Sequence, residues 1–407
     1  MNRFFITPDI QTAMGSLAVD NTIIVVCIDK SSVIEKLQAA GFRIFSFEQN
    51  TERTILRNSK LLLLQPETIK FINSFSGDKQ FIFFKPLILP QKLLKIYNNP
   101  LILNNDPFLS AKIENKLYLN NFNVTTPPEI KDNIVYPVVL QFEIGYAGNS
   151  TFVVHNEKDL KTLISTKKAK YKIVEYIKNA GTYTNNCFCF NDTVLVSDPF
   201  FQYTGIPGLT RTKLGSCGNN FFIDIDEDIK AEIKELSIKV GKHLLSTGYK
   251  GSFGIDFVLS DKNKLYVIEV NPRFTASISF FTQLEKILGT QSFFEKQINL
   301  FSEGAVHKDY QSLLKGKRLL MRNDSFENVT IIGGYKSGIY KIEDETFVFE
   351  REEFFVSDLQ EGEVLLFIKD DGFVATPETD IVNLYTLENI SEDILINALI
   401  KLKQAIT

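Results

Sequence analysis

Apolar runs of strand length alternate with longer periodic stretches along this chain. Thr22 to Ile28 (TIIVVCI) is apolar throughout. Ser31 to Ala40 has helical spacing, and Gly41 suits its C-cap. Phe42 to Phe47 returns to strand character. This β-α-β alternation predicts a small parallel sheet with helices on its faces. Leu61 to Leu64 and Phe81 to Phe84 read as further strands of that layer. No G-x-G-x-x-G follows the first strand, so no dinucleotide site is expected there.

Pro107 to Asn121 reads as one helix, because Leu109, Ile113 and Leu117 recur at spacing four. The extended Asn123 to Pro128 follows. Tyr136 to Gln141 and Phe152 to Val154 are strands around a small-residue loop, Gly145 to Thr151 (GYAGNST). Such a loop suits either a plain hairpin turn or a flap whose backbone N–H groups cover phosphates. Lys172 to Ile177 and Asn186 to Phe190 are further strands. Cys187 and Cys189 share a face of the second; with no other pair and no nearby His they read as core. Gln202 to Asn220 is rich in Gly and Thr and lacks periodicity, so it reads as a long loop, functional or disordered. Its only charges, Arg211 and Lys213, suit an anionic substrate or intermediate. Asp226 to Thr247 is the clearest helix, with Ile229, Ile233, Leu236, Val240 and Leu244 on one face. Thr275 to Ser302 is mostly helical, Lys317 to Tyr385 alternates short strands with Gly-containing turns, and a last helix runs from Glu392 to Gln404.

The most informative stretch is Gly251 to Arg273, GSFGIDFVLSDKNKLYVIEVNPR. It reads as two strands joined by a turn at Lys262 and Asn263. Counting back from that turn sets Asp256 opposite Glu269, with Asn271 on the same face. Directly opposed side chains have Cβ atoms roughly 4.5–5.5 Å apart, and like charges there destabilise the pair. A divalent cation removes that penalty, and two carboxylates plus an amide oxygen are hard ligands suited to Mg²⁺. The alternative is a surface hairpin whose acids face water. In this register Gly254, Val258, Leu265 and Val267 share the acid face, and Ile255, Phe257, Leu259, Tyr266, Ile268 and Val270 fill the other. Strands apolar on both faces are usually buried, and a buried carboxylate needs a partner.

Composition narrows the field. The chain has 407 residues and a net charge of −4 with Lys and Arg scattered, which does not indicate a nucleic-acid footprint. No apolar run approaches the ~20 residues of a membrane span, and no signal-peptide core is expected. Four cysteines and three histidines suggest neither a disulfide framework nor a zinc site. A cytoplasmic protein is the expectation.

The pattern G-x-F-G-I-D-F-V followed by V-I-E-V-N-P-R resembles the ATP-grasp enzymes. The resemblance implies an α/β (α+β) fold. An N-terminal Rossmann-like domain would span 1–105 and an ATP-grasp domain 106–305, its flap about 122–185 and its metal-site part 186–305. A mainly β unit with a terminal helix would span 306–407. It implies that Asp256, Glu269 and Asn271 hold two Mg²⁺ ions on ATP, with Mn²⁺ able to substitute, and that Arg273 faces the transferred phosphoryl group. It places Lys112, Gln141 and the loop residues Gly145, Gly148, Asn149 and Ser150 at the phosphates, and Glu175 and Ile177 at adenine. The family pattern P-x-V-x-K meets Gln141 where its lysine falls, and Gly181, Thr182 and Tyr183 stand where an acidic ribose contact usually follows. The implied activity is amide formation between a small-molecule carboxylate and an amine through an acyl phosphate, on amino acids or a small peptide. The resemblance leaves room for a homodimer. The alternative is a nucleotide-binding module of the same fold with weakened catalysis.

Overall fold

Five parallel strands open the chain: β1 (Asn2–Ile6), β2 (Ile24–Cys27), β3 (Ile44–Ser46), β4 (Lys79–Phe83) and β5 (Leu101–Ile102). They lie in the order β3-β2-β1-β4-β5. The computed structural model describes residues 1–143, 150–310 and 314–407. Phe4, Ile6, Ile24, Val26, Phe81 and Phe83 fill one side of this sheet, and Phe5, Val25, Cys27 and Ile82 the other. Burial on both sides explains why these strands read as unbroken apolar runs. The helix Ser32–Ala39 is capped by Ser31, and Gly41 follows at φ +93°. Elements that carry no expectation from the pattern include β1 and the helices Ile10–Val19, Pro66–Asn73, Gln91–Ile96 and Glu157–Lys167. Leu61 to Leu64, expected as a strand, belongs instead to the helix Ser59–Leu63. The Asn58 side chain accepts from the N–H groups of Lys60 and Leu61 and starts it. A short apolar run has no period to tell strand from helix, and here the cap decides.

The expected single helix from Pro107 breaks in two. An α-helix spans Pro107–Glu114; Asn115 then turns extended, at φ −62° and ψ 120°, and caps a 3-10 helix over Lys116–Phe122. A second sheet follows: β6 (Val138–Phe142), β7 (Thr151–Val154) and β8 (Tyr171–Glu175), antiparallel in the order β7-β6-β8. Its apolar face, Val138, Leu140, Phe142 and Val154, packs on Leu160 of the helix Glu157–Lys167. Gln141, Thr151 and Lys172 stand opposite one another on its other face.

The remaining strands are β9 (Gly181–Phe190), β10 (Thr193–Val196), β11 (Phe200–Thr204), β12 (Ser216–Asn220), β13 (Gly251–Leu259), β14 (Leu265–Asn271), β15 (Lys317–Arg322), β16 (Val329–Thr330), β17 (Gly338–Glu343), β18 (Thr346–Arg351), β19 (Glu363–Ile368), β20 (Val374–Ala375) and β21 (Asp380–Thr386). Except for the small pair β16–β20, they form one eleven-stranded sheet in the order β14-β13-β9-β11-β12-β15-β21-β19-β17-β18, with β10 beside β9. The stretch Gln202 to Asn220, expected as loop, is strand at both ends, because β11 and β12 pair with each other. The helix Glu227–Ser246 lays Ile229, Ile233, Val240 and Leu244 on Phe253, Ile255 and Phe257. The helices Ile278–Ile287, Phe293–Ser302 and Glu392–Ile406 agree with the periodicity. Among the described residues no helix is long and apolar enough to cross a membrane, and all four cysteines are free and buried.

The hairpin β13–β14 departs from the counted register in an instructive way. Ser260 N–H donates to Lys264 O at 3.0 Å, and Asn263 sits at φ +56°. The turn is therefore a three-residue loop closed by a left-handed residue, not a two-residue one. That moves Leu259 opposite Leu265 and Phe257 opposite Val267. A bulge at Ile268 then restores Asp256 opposite Glu269. Consequently Leu265 and Val267 lie in the core beside Phe257, not on the acid face.

This register makes a testable distinction. Val267→Ala is expected to cost roughly 2 kcal/mol, two buried methyl groups plus a cavity term. Ile268→Ala, at the half-buried bulge, is expected to cost less. Chemical denaturation of both variants measures it, and a larger loss at Ile268 would contradict the bulge.

Candidate functional site

Asp256 and Glu269 face each other across the two outermost strands of the large sheet. Asp256 Oδ1 accepts from Thr184 Oγ1 at 2.7 Å, and its Oδ2 from Asn271 Nδ2 at 3.1 Å. Thr184 is placed there by β9, directly opposite Asp256. Burial and the neighbouring Glu269 charge push the Asp256 carboxyl up to about 6, against the pull of its two hydrogen bonds. A lysine lies beside this pair. Lys116 Nζ, buried, lies 4.0 Å from Glu269 and donates to Thr151 Oγ1 at 2.7 Å. It joins the small sheet to the large one.

Arg273 follows β14 and is fixed from three sides. Its Nε donates to Glu114 Oε1 at 3.0 Å, its Nη2 to Asn271 Oδ1 at 3.0 Å, and its Nη1 to the carbonyl of Phe274 at 3.0 Å. Its guanidinium also lies over the Phe84 ring, 5.6 Å from the centroid. Glu114 in turn meets Lys85 at 2.5 Å. Burial alone raises the Glu114 carboxyl, but Arg273 and Lys85 outweigh it and hold the group below its ordinary value. The chain Lys85–Glu114–Arg273–Asn271–Asp256 ties the stretch after β4 to the carboxylate pair.

Of the residues singled out in the sequence, Asp256, Glu269, Asn271 and Arg273 converge. Lys112, expected at the phosphates, is exposed, with its ammonium 5.5 Å from the Tyr118 ring centroid. Lys116, one turn on, takes the position in the cleft, because the break at Asn115 swings the following residues inward. Gln141 is buried on the Thr151 face of the small sheet. Gly145, Gly148 and Asn149 lie outside the described residues. Ser150 is described and buried, and its Oγ meets no hydrogen-bond partner among the described residues. Glu175 ends β8, and Ile177 lies in the 176–180 segment that leads into the large sheet. Arg211 and Lys213 are not brought to the carboxylates. Arg211 lies 3.6 Å from Glu378 and 4.7 Å from the Phe326 ring centroid, and Lys213 is exposed. Lys116, Glu114, Thr151 and Thr184 had no distinguishing pattern of their own; Asn115, which caps the 3-10 helix at the break, was the available hint.

The pair fits a divalent cation. Two opposed carboxylates, one pushed up toward neutral pH by burial and by the other's charge, are the arrangement a hard cation relieves. Asn271 turns its N–H toward Asp256, so its oxygen serves a cation only after the amide turns over.

A carboxyl whose pKa is raised on folding binds more protons folded than unfolded between its two values. The stability from keeping Asp256 neutral is thus full below about 4. It is lost as pH rises through about 6. In metal-free protein, the melting temperature of wild type relative to Asp256→Asn is expected to fall across that window, and saturating Mg²⁺ is expected to remove the fall. Differential scanning calorimetry across this pH range checks it; a difference independent of pH would refute it.

A family model described as the ATP-grasp domain matches residues 109–277. Over 155 residues, 37% of this chain, the sequence is 28% identical to the arginine-specific large chain of carbamoyl phosphate synthase from Halalkalibacterium halodurans. That match spans 14% of the larger protein. Among solved structures, the fold is similar to a biotin carboxylase–beta-gamma-ATP complex from Campylobacter jejuni, with TM-score 0.61 and 16% identity over 95% of this chain and 87% of that one. It is also similar to N5-carboxyaminoimidazole ribonucleotide synthetase from Thermotoga maritima, with TM-score 0.54 and 17% identity over 100% of this chain and 99% of that one. Residues 109–277, which match the ATP-grasp domain model, carry Lys116, the opposed carboxylates, Asn271 and Arg273.

Proposed function

We propose that this chain is an ATP- and Mg²⁺-dependent ligase that activates a small-molecule carboxylate as an acyl phosphate and joins it to an amine, on amino acids or a small peptide. The observation that carries the reading is the opposed pair Asp256 and Glu269, with Lys116 and the clamped Arg273 beside it. Asp256, Glu269 and, after its amide turns, Asn271 would hold Mg²⁺. The bound metal would neutralise charge so that one anion can approach another.

The chain's own residues do the rest. Lys116, with the loop residues Gly145, Gly148, Asn149 and Ser150, holds the phosphates. The segment from Glu175 to Ile177 takes the adenine. Arg273 presents a fixed guanidinium to the transferred phosphoryl group at no cost of ordering, because Glu114 and Phe84 already hold it. A carboxylate oxygen forms a bond to the γ-phosphorus, and the bond to the bridging oxygen breaks with its electron pair leaving on ADP. The amine nitrogen then bonds to the acyl carbon, inorganic phosphate leaves, and the nitrogen loses a proton. The related names, carbamoyl phosphate synthase and biotin carboxylase, are compatible with carboxylate activation by ATP.

A second reading, nucleotide binding without turnover, draws on Gln141, a neutral side chain where the family pattern carries a lysine. An ADP-release assay over a panel of carboxylates and amines separates the two. The ligase reading expects release that depends on a carboxylate. No release with any pair, from protein that binds ATP, favours the second.

Glu269→Ala is expected to lower turnover at least about a hundredfold, as loss of a charge-stabilising group does. Its fold, followed by circular dichroism, is expected to persist. Turnover equal to wild type at saturating Mg²⁺ would remove Glu269 from the mechanism.

A further inference from the structure

The small sheet carries a polar row across all three strands. Thr151 of β7 stands opposite Gln141 of β6, which stands opposite Lys172 of β8. Directly opposed residues share a face, so all three side chains lie on the side away from Leu140 and Phe142. Lys116 reaches that same side, through its 2.7 Å hydrogen bond to Thr151. Lys172 is 7% exposed, Gln141 7% and Lys116 8%. Among the described residues the Lys172 ammonium has no hydrogen bond and no ion pair within 4 Å; the charges that reach it are Glu129 and Lys116, a like charge. Burial and Lys116 together hold its ammonium below the ordinary lysine value, and Glu129 does not fully offset them.

Two largely buried lysines on the same side of the small sheet, one of them without an ion pair among the described residues, are costly unless an anion joins them. We infer that Lys172 places its charge on the phosphates of the bound nucleotide, and that this residue, one strand over from Gln141, does the work a lysine at position 141 would do. The inference rests on the proposed nucleotide site. Gln141, carrying no charge, can stand beside Lys172 without repulsion, whereas a second lysine there would oppose it directly.

Titration calorimetry with ATP–Mg²⁺ and with adenosine tests it. Lys172→Met is expected to weaken ATP binding about tenfold to a hundredfold, the size of one lost hydrogen bond to a charged group. Adenosine binding is expected to stay unchanged. Lys172→Arg, which keeps the charge, is expected to keep most of the ATP affinity. The exchange Gln141→Lys with Lys172→Gln is expected to recover most of what Lys172→Met loses. Unchanged ATP affinity in Lys172→Met, or an equal loss for adenosine, would overturn the contact. An exchange variant as weak as Lys172→Met would overturn the equivalence of the two positions. If Lys172→Met does not fold, Lys172→Gln alone against the exchange variant gives the same comparison. Wild-type protein that binds adenosine and ATP equally would overturn the inference alone, whereas wild type that binds neither would overturn the nucleotide reading with it.

Discussion

Two negative charges are held face to face at the edge of the large sheet, and much of the surrounding structure answers to that. Asp256 and Glu269 are not brought together by chance flexibility; they are locked by ladder hydrogen bonds on one side and by β9 on the other. Thr184 and Asn271 donate to Asp256, Lys116 approaches Glu269, and Arg273 is steadied by Glu114. Each of these contacts lowers the cost of repulsion without cancelling it. The proposed Mg²⁺ would relieve the repulsion these contacts leave.

The hairpin also shows why the register read from sequence reached the right pair by a path the molecule does not take. Counting from a two-residue turn matched Asp256 with Glu269 because two departures cancel. The loop is one residue longer on one side, and Ile268 bulges out to compensate. Turn chemistry is legible from Asp261, Lys262 and Asn263 only as a turn, not as a length. The bulge has no sequence mark, since Ile268 is a good strand residue. The faces of Leu265 and Val267 were therefore misread, although the motif residues were not.

Elsewhere legibility followed the kind of signal available. Long periodic helices such as Glu227–Ser246 and fully apolar strands such as β2 were plain. Short apolar runs were not: Leu61 to Leu64 took its structure from the Asn58 cap. The lysine at the cleft was missed for a related reason. Lys112 and Lys116 share a face of any continuous helix, and only the turn at Asn115 decides which one points inward. Arg211 and Lys213 illustrate the converse, because charge in a polar loop says nothing about where the loop folds back. Here Glu378 and Phe326 hold Arg211 beside the C-terminal strands.

The large sheet has a further consequence. β12 is bonded to β11 on one side and to β15 on the other, where Gly218 meets Leu319 and Asn220 meets Lys317. Tyr203, Leu209 and Cys217 share a core with Leu319, Met321, Leu366 and Leu384 from the strands beyond. A chain ended before β15 would turn an interior strand into a raw edge and strip the cover from that core. Unpaired strand edges template association with other chains. Such a fragment would keep every cleft residue and still be prone to aggregate, so the ATP-grasp segment is a motif within a larger folding unit and a poor candidate for excision.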